Sequence, residues 1–137
     1  MSPDIGRVDR VDRVGRDGLT PGQPTAGMRR EAAVVLPELW TGLVHTDPQV
    51  VGGWHHHGAH QSVLYVVAGV LRLETGEQPG GTTVDGHPGD FLHIPPYVVH
   101  REGNPTDETS TAVVIRQGTG EVVVNVDGPG DPAATRT

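Results

Sequence analysis

The residues best suited to chemistry in this 137-residue chain lie in Gly53-Trp54-His55-His56-His57-Gly58-Ala59-His60-Gln61-Ser62. Four of the eight histidines fall within six residues here. Imidazole is the commonest protein metal ligand. In an extended segment alternate side chains share a face, so His55 and His57 point together and His56 points away. Two imidazoles on one face are half of a metal site. A second constellation follows. Gly89-Asp90 opens a segment that runs to Pro95-Pro96, with His100 five residues after Pro95 and Asn104 four further on. His100 and Glu102 share a face by the same alternation, while Arg101 turns away.

Strands must position these groups. Short Val-rich runs at residues 32–36, 39–46, 63–68, 70–74, 82–84, 91–94, 110–116 and 121–126 are separated by Pro, Gly and Asp. No segment carries a helical period, and the pattern predicts an all-β sandwich or barrel. Residues 76–81 read as a loop, Asp85-Gly86 as a tight turn, and residues 97–101 as resumed extension after the prolines. Residues 1–27, with a repeated Val-Asp-Arg triplet and then a Gly/Pro/Thr-rich stretch, read as a leader, disordered or ordered against a partner subunit. The barrel is expected over residues 28–127, with a disordered tail over 128–137.

Composition removes several functions. The chain has no cysteine, which excludes disulfides, thiolate nucleophiles and zinc-thiolate sites. It has no lysine, so a Schiff-base mechanism is excluded as well. The net charge of −7 is uneven: residues 1–30 carry +2 and the rest −9. An acidic body argues against nucleic acid. Apolar runs are too short to span a membrane and no signal-peptide core is present, so a cytoplasmic location is expected.

The two constellations resemble the motifs of the cupin family, G-x5-H-x-H-x3–4-E-x6-G and G-x5-P-x-G-x2-H-x3-N. The second is present as Gly89, Pro95, His100 and Asn104, with Tyr97 where the motif has Gly. The first is present in part, as His55, His57 and Gly69. The resemblance covers roughly residues 30–127. It implies a double-stranded β-helix, or jelly-roll, barrel in which His55, His57 and His100 converge on one divalent metal. The glutamate position of the first motif falls on Ser62, a weak ligand. Its neighbour Gln61 is taken as the fourth ligand by register, with His60 as the alternative. By ligand type such a set accepts Fe(II), Zn, Ni, Mn or Cu.

The resemblance further implies a small-molecule substrate or ligand and a homodimer. A metal-dependent enzyme is the leading reading. It is either a dioxygenase-like oxidoreductase or a cyclase, isomerase or hydrolase, with the His-plus-Gln set similar to that of some cupin-type polyketide cyclases. Glu102 or His93 would move the proton, and Trp54 and Tyr97 would line the mouth of the substrate cavity. The alternative is a non-catalytic binding or sensing module with a structural metal. Of the remaining candidates, Trp40 is assigned to the core, His45 and His87 to strand surface and turn, His56 to an idle outward position, and Asp90 and Asn104 to capping turns.

Overall fold

Strands account for nearly all the regular structure of the computed structural model, which describes residues 9–76, 81–120 and 122–129. The strands are β1 (Thr20–Pro21), β2 (Met28–Leu36), β3 (Leu39–Thr46), β4 (His55–His56), β5 (Gln61–Ala68), β6 (Leu71–Thr75), β7 (Thr82–Gly86), β8 (Phe91–Ile94), β9 (His100–Gly103), β10 (Ser110–Gln117) and β11 (Val124–Asn125). One 3-10 turn, Arg16–Gly18, precedes them. The expected loop over 76–81 falls largely outside the described residues, as do residues 1–8 of the leader and the tail from 130 onward. No helix among the described residues is long and apolar enough to cross a membrane.

Two antiparallel sheets face each other, ordered β1-β2-β3-β10-β5-β8 and β11-β4-β9-β6-β7. The late strand β10 lies between the early strands β3 and β5, as a double-stranded β-helix requires. The all-β jelly-roll expectation holds. Period-two alternation decides which side chains enter the barrel. Leu64 and Val66 of β5, Leu92 and Ile94 of β8, and Ala112 and Val114 of β10 are buried, while Tyr65, Val67, Phe91 and Ile115 between them are exposed. Leu71 and Leu73 complete the core from the facing sheet. Each fully buried Leu, Val or Ile contributes about 1.5–3 kcal/mol. Among the described residues the interior also holds nine buried polar ones, including His57, His60, Ser62, His100 and Glu102. Burying polar groups weakens a fold unless each finds a partner; Asn104 finds its partners in the backbone of the following turn, while His57, His100 and Glu102 gather in one place.

Three local expectations need revision. Asp85-Gly86 is not a turn: both residues lie in β7, opposite Arg72 and Leu71. Gly86 is required for space, since a Cβ there would stand 2.8 Å from Leu92 Cδ1 and 3.0 Å from Val66 Cγ2. The reversal comes at residues 87–90, where Asp90 Oδ2 accepts the His87 N–H at 2.8 Å. Within the expected leader, Thr20 and Pro21 pair with Ala32 and Glu31 of β2 in the same chain.

The third revision concerns Tyr97, which turns the chain instead of extending it. Gln49 and Tyr97 are the non-glycine residues with positive φ among those described, at 62° and 64°. Both follow a proline in a tight turn, closed by Val50 N to Asp47 O at 3.4 Å and Val98 N to Pro95 O at 3.5 Å. Proline then a positive φ is the signature of a type II turn, whose third position favours Gly. These are the glycine positions of the two motifs: Gln49 stands six residues before His55 and Tyr97 three before His100. The chain keeps the turns and carries the strain. Gln49→Gly relieves about 1–2 kcal/mol of this strain, against the added chain entropy of Gly and the loss of the exposed hydrogen bonds that Gln49 Nε2 donates to Pro105 O at 3.3 Å and Asp107 Oδ1 at 3.1 Å, so a net gain of about 0.5 kcal/mol is expected. A thermal melt should rise by about 1–2 °C; a lower midpoint would show that the two lost hydrogen bonds outweigh the strain of the left-handed turn.

Candidate metal centre

β4 is only two residues long because it serves as a bridge: His55 lies opposite His100 of β9 on one side and Asn125 of β11 on the other. Extended backbone through His57 turns His55 and His57 to one side, as the alternation predicts. The chain then bends, with His60 N donating to His57 O at 3.0 Å. Tyr97 N donates to Gly58 O at 2.8 Å and ties this bend to the turn before β9. The two motif segments are thereby fixed against each other.

The three imidazoles are each held the same way. Nδ1 of His55 lies 2.9 Å from Gly53 O, Nδ1 of His57 2.6 Å from Val122 O, and Nδ1 of His100 3.0 Å from Val98 O. A carbonyl oxygen only accepts, so each Nδ1 carries the proton and each Nε2 presents a lone pair. Ring centroids are 4.4–5.1 Å apart. Glu102 enters the same space from β9, its Oε2 3.6 Å from His55 Nε2 and 3.7 Å from His100 Nε2. The four possible donor atoms lie within 4.8 Å of one another.

This arrangement tests whether a cation fits. Nε2 of His57 and of His100 are buried without a hydrogen-bond partner, and such groups weaken a fold unless something binds them. Donors to one ion, each about 2.1 Å from it, stand roughly 3–4 Å apart. Lone pairs, carboxylate and spacing all fit a divalent metal. Three neutral imidazoles and one carboxylate offset one of its two charges.

Titration properties follow from the enclosure. Burial, with the positive charge of Arg116 and the neighbouring His100 and His55, pushes His57 down to about 3. Burial also opposes protonation of His55, but hydrogen bonding and charge from Glu102 outweigh it and raise its pKa above the ordinary value. Burial opposes ionisation of Glu102, yet His100 and His55 hold its carboxyl well below the usual range.

The structure brings His55, His57 and His100 together as expected, and it brings Glu102 to them in place of Gln61. Gln61 is exposed at the start of β5, where its Oε1 meets His93 Nε2 at 3.0 Å and its Nε2 donates to Gln117 Oε1 at 3.1 Å. Ser62 is buried and accepts from Arg116 Nε at 3.2 Å. His60 is buried in the cavity wall, its Nδ1 3.1 Å from His57 O. His93 shares a face with Phe91, as alternation predicts, but that face is the outside of the barrel. Trp54 and Tyr97 are not among the cavity-lining residues; Trp54 carries the Arg101 guanidinium at 4.7 Å. His56 points away from the cluster into packing, not solvent: it is buried, accepts from Gly58 N at 2.9 Å and lies 6.0 Å from the Tyr97 ring. Asn104 caps the following turn as expected, accepting from Thr106 N at 3.0 Å.

The cluster opens onto a cavity of about 1270 Å³, walled by β2, β3, β10 and the segment after it. Its lining includes Trp40, Arg30 and Arg116. Neither arginine was singled out in the sequence, although the signal was present. Arg30 shares parity with the inward Met28 and Ala32, and Arg116 with the inward Ala112 and Val114.

A jelly-roll barrel enclosing three convergent histidines and a carboxylate defines the class, a cupin with a candidate metal site. The chain belongs to the cupin domain family Cupin_2, which matches residues 42–116. Among solved structures, KdgF from Halomonas sp. is similar at a TM-score of 0.66 and 20% identity, over 81% of this chain and 96% of that one. A conserved Klebsiella pneumoniae protein with a double-stranded β-helix domain aligns at 0.65 and 18% identity, over 77% and 90% of the two chains. Oxalate decarboxylase from Bacillus subtilis aligns at 0.64 and 19% identity, over 75% of this chain but 28% of its own. No curated protein matches the sequence. At these identities the likeness is one of fold.

Proposed function

We propose that this cupin is a metal-dependent enzyme that acts on a small organic molecule in the barrel, with His55, His57, His100 and Glu102 as the ligands. The observation that carries the reading is the pair of buried, unpartnered Nε2 atoms of His57 and His100 facing the Glu102 carboxylate. A divalent metal held there would supply Lewis acidity towards a substrate oxygen. The carbonyls of Gly53, Val122 and Val98 fix the ring orientations, the outer-shell support that keeps a site from loosening. β2, β3 and β10 shield the bound molecule from water on one side. His60, the cavity imidazole outside the cluster, takes the proton-carrying role expected of Glu102 or His93, since Glu102 serves as a ligand in this reading and His93 faces outward. Distant fold similarity to a protein with Mn(II) centres supports a metal without selecting one. The reading includes a homodimer in the cytoplasm, with Tyr65 and Phe91, 4.7 Å apart on the outer sheet face, within the contact.

The test is metal analysis of protein purified without an affinity tag or added metal, followed by reloading with Mn, Fe(II), Ni and Zn in turn. About one ion per chain is expected, with turnover of a small substrate in the loaded form only. Protein that stays metal-free after every reloading would overturn the proposal.

A further inference from the structure

The cavity wall holds two arginines, Arg30 and Arg116, that pair with no carboxylate within 4 Å among the described residues. Outward-facing arginines of the sheets each meet an acid. Arg72 grips Asp85 at 2.8 and 2.9 Å, Arg101 grips Glu74 at 3.1 Å twice, and Arg29 lies 3.2 Å from Glu31. The two cavity arginines do not. Arg116 donates through Nε to Ser62 Oγ, its guanidinium 5.9 Å from the centre of the Trp40 ring. Arg30 donates through Nη1 to Thr25 Oγ1 at 2.9 Å and Gln23 O at 3.4 Å. Neither has an ion-pair partner within 4 Å among the described residues. Both line the main cavity and the small recess between Trp40 and Glu102. Among the described residues Glu38, at the exposed β2–β3 hairpin, and Glu102, in the cluster, are the acids of the lining. A half-buried guanidinium left without an anion is unfavourable. Its planar fork fits a carboxylate through two parallel hydrogen bonds. In a chain of net charge −7, two inward guanidinium groups also offer an anion a local attraction that the acidic surface lacks.

We propose that Arg116, assisted by Arg30, binds the carboxylate of a small organic acid and directs the other end of that molecule to the histidine–glutamate cluster. The proposal rests on reading that cluster as the metal site, and it supplies the substrate class: short oxo-, hydroxy- or dicarboxylic acids. Ser62, at the position where the cupin motif has its glutamate, then positions Arg116 by accepting its Nε–H and leaves the remaining guanidinium N–H groups for the ligand.

The experiment uses full-length protein loaded with Zn, in wild-type and Arg116→Gln forms. Malonate and pyruvate are titrated by calorimetry, with malonamide and pyruvamide as neutral counterparts and inorganic phosphate as the competing anion. Trp54→Phe leaves Trp40 as the single tryptophan, so its fluorescence reports occupancy beside Arg116. Wild type should bind at least one acid with a Kd below about 1 mM and neither amide. Arg116→Gln should weaken that binding at least 30-fold while retaining one metal per chain. Arg30→Gln should weaken it about 3- to 10-fold, and serves as the test if Arg116→Gln does not fold. Acids that bind both variants as tightly as wild type, acids that do not bind at all, or phosphate that binds as tightly as the acids would each overturn the proposal. Arginine-dependent acid binding by a protein that takes up no metal would instead overturn the metal reading and leave the carboxylate anchor standing.

Discussion

Glu102→Ala and His57→Ala are each expected to lower divalent-metal affinity by at least about 1000-fold, and Gln61→Ala to leave it within twofold of wild type. Removing a direct ligand should exceed the 10- to 100-fold effect typical of groups that only support ligands. Glu102 is the one anion of the cluster among the described residues, so its loss also removes the charge that partly offsets the ion. Gln61 is exposed and occupied with His93 and Gln117. Competition titration against a chelating dye, with each variant's melt recorded alongside, gives the answer. A loss of metal in Gln61→Ala with retention in Glu102→Ala would reject the donor set proposed here and restore the register-based one.

The second large effect concerns acid. His57 takes its proton at about pH 3 in the folded chain and near 6.5 once unfolded. Between those values the unfolded state binds a proton that the folded state does not, so metal-free protein loses stability as pH falls through the window. One such group gives roughly 1.4 kcal/mol per pH unit, a fall in melting temperature of about 5 °C per unit for a domain of this size. Glu102, depressed in the folded state, adds stability above its ordinary pKa and loses it on acidification, reinforcing the trend below about pH 4.5. His55 works the other way. Its pKa is raised, so its contribution is complete below about 6.5 and is lost as pH rises through the folded value. Metal-free protein should therefore be most stable close to neutrality and fall steeply from pH 6 to pH 4.

Metal changes the profile. An ion must displace the proton held at His55, so affinity should rise about tenfold per pH unit until that group is fully deprotonated. The gap between melting temperatures with and without metal should widen with pH and then level off. Differential scanning calorimetry with EDTA and with Zn across pH 4–8 measures both curves. A flat metal-free curve between pH 6 and pH 4, or a gap that ignores pH, would contradict this account. His57→Ala should flatten the metal-free curve in that window.

Much of this was legible in the sequence because it depends on local periodicity. Alternation along a strand is fixed by backbone geometry, so His55 with His57, and His100 with Glu102, could be assigned to shared faces. The Pro and Gly punctuation marked most strands. Alternation says that two side chains share a face, but not which face is inside. His93 shares one with Phe91, and only the packing of Leu92 and Ile94 into the core shows that it is the outer one. Local turn rules misled at Asp85-Gly86, where Gly is needed to clear Leu92 and Val66, neighbours that short-range sequence cannot supply.

By itself the sequence determined the all-β class, the three histidines that converge, and the absence of thiol and lysine chemistry, since these follow from residue identity and short-range spacing. Tertiary structure decided the fourth group. Gln61 and Glu102 are each near a histidine in sequence, and the choice between them comes from β4 pairing with β9, which sets His55 opposite His100 and carries Glu102 inward beside both. The same closure of one sheet over the other placed Arg30 and Arg116, 86 positions apart in the chain, in the wall of one cavity. Strand pairing across such separations is settled by the burial of the whole core, and no local pattern encodes it.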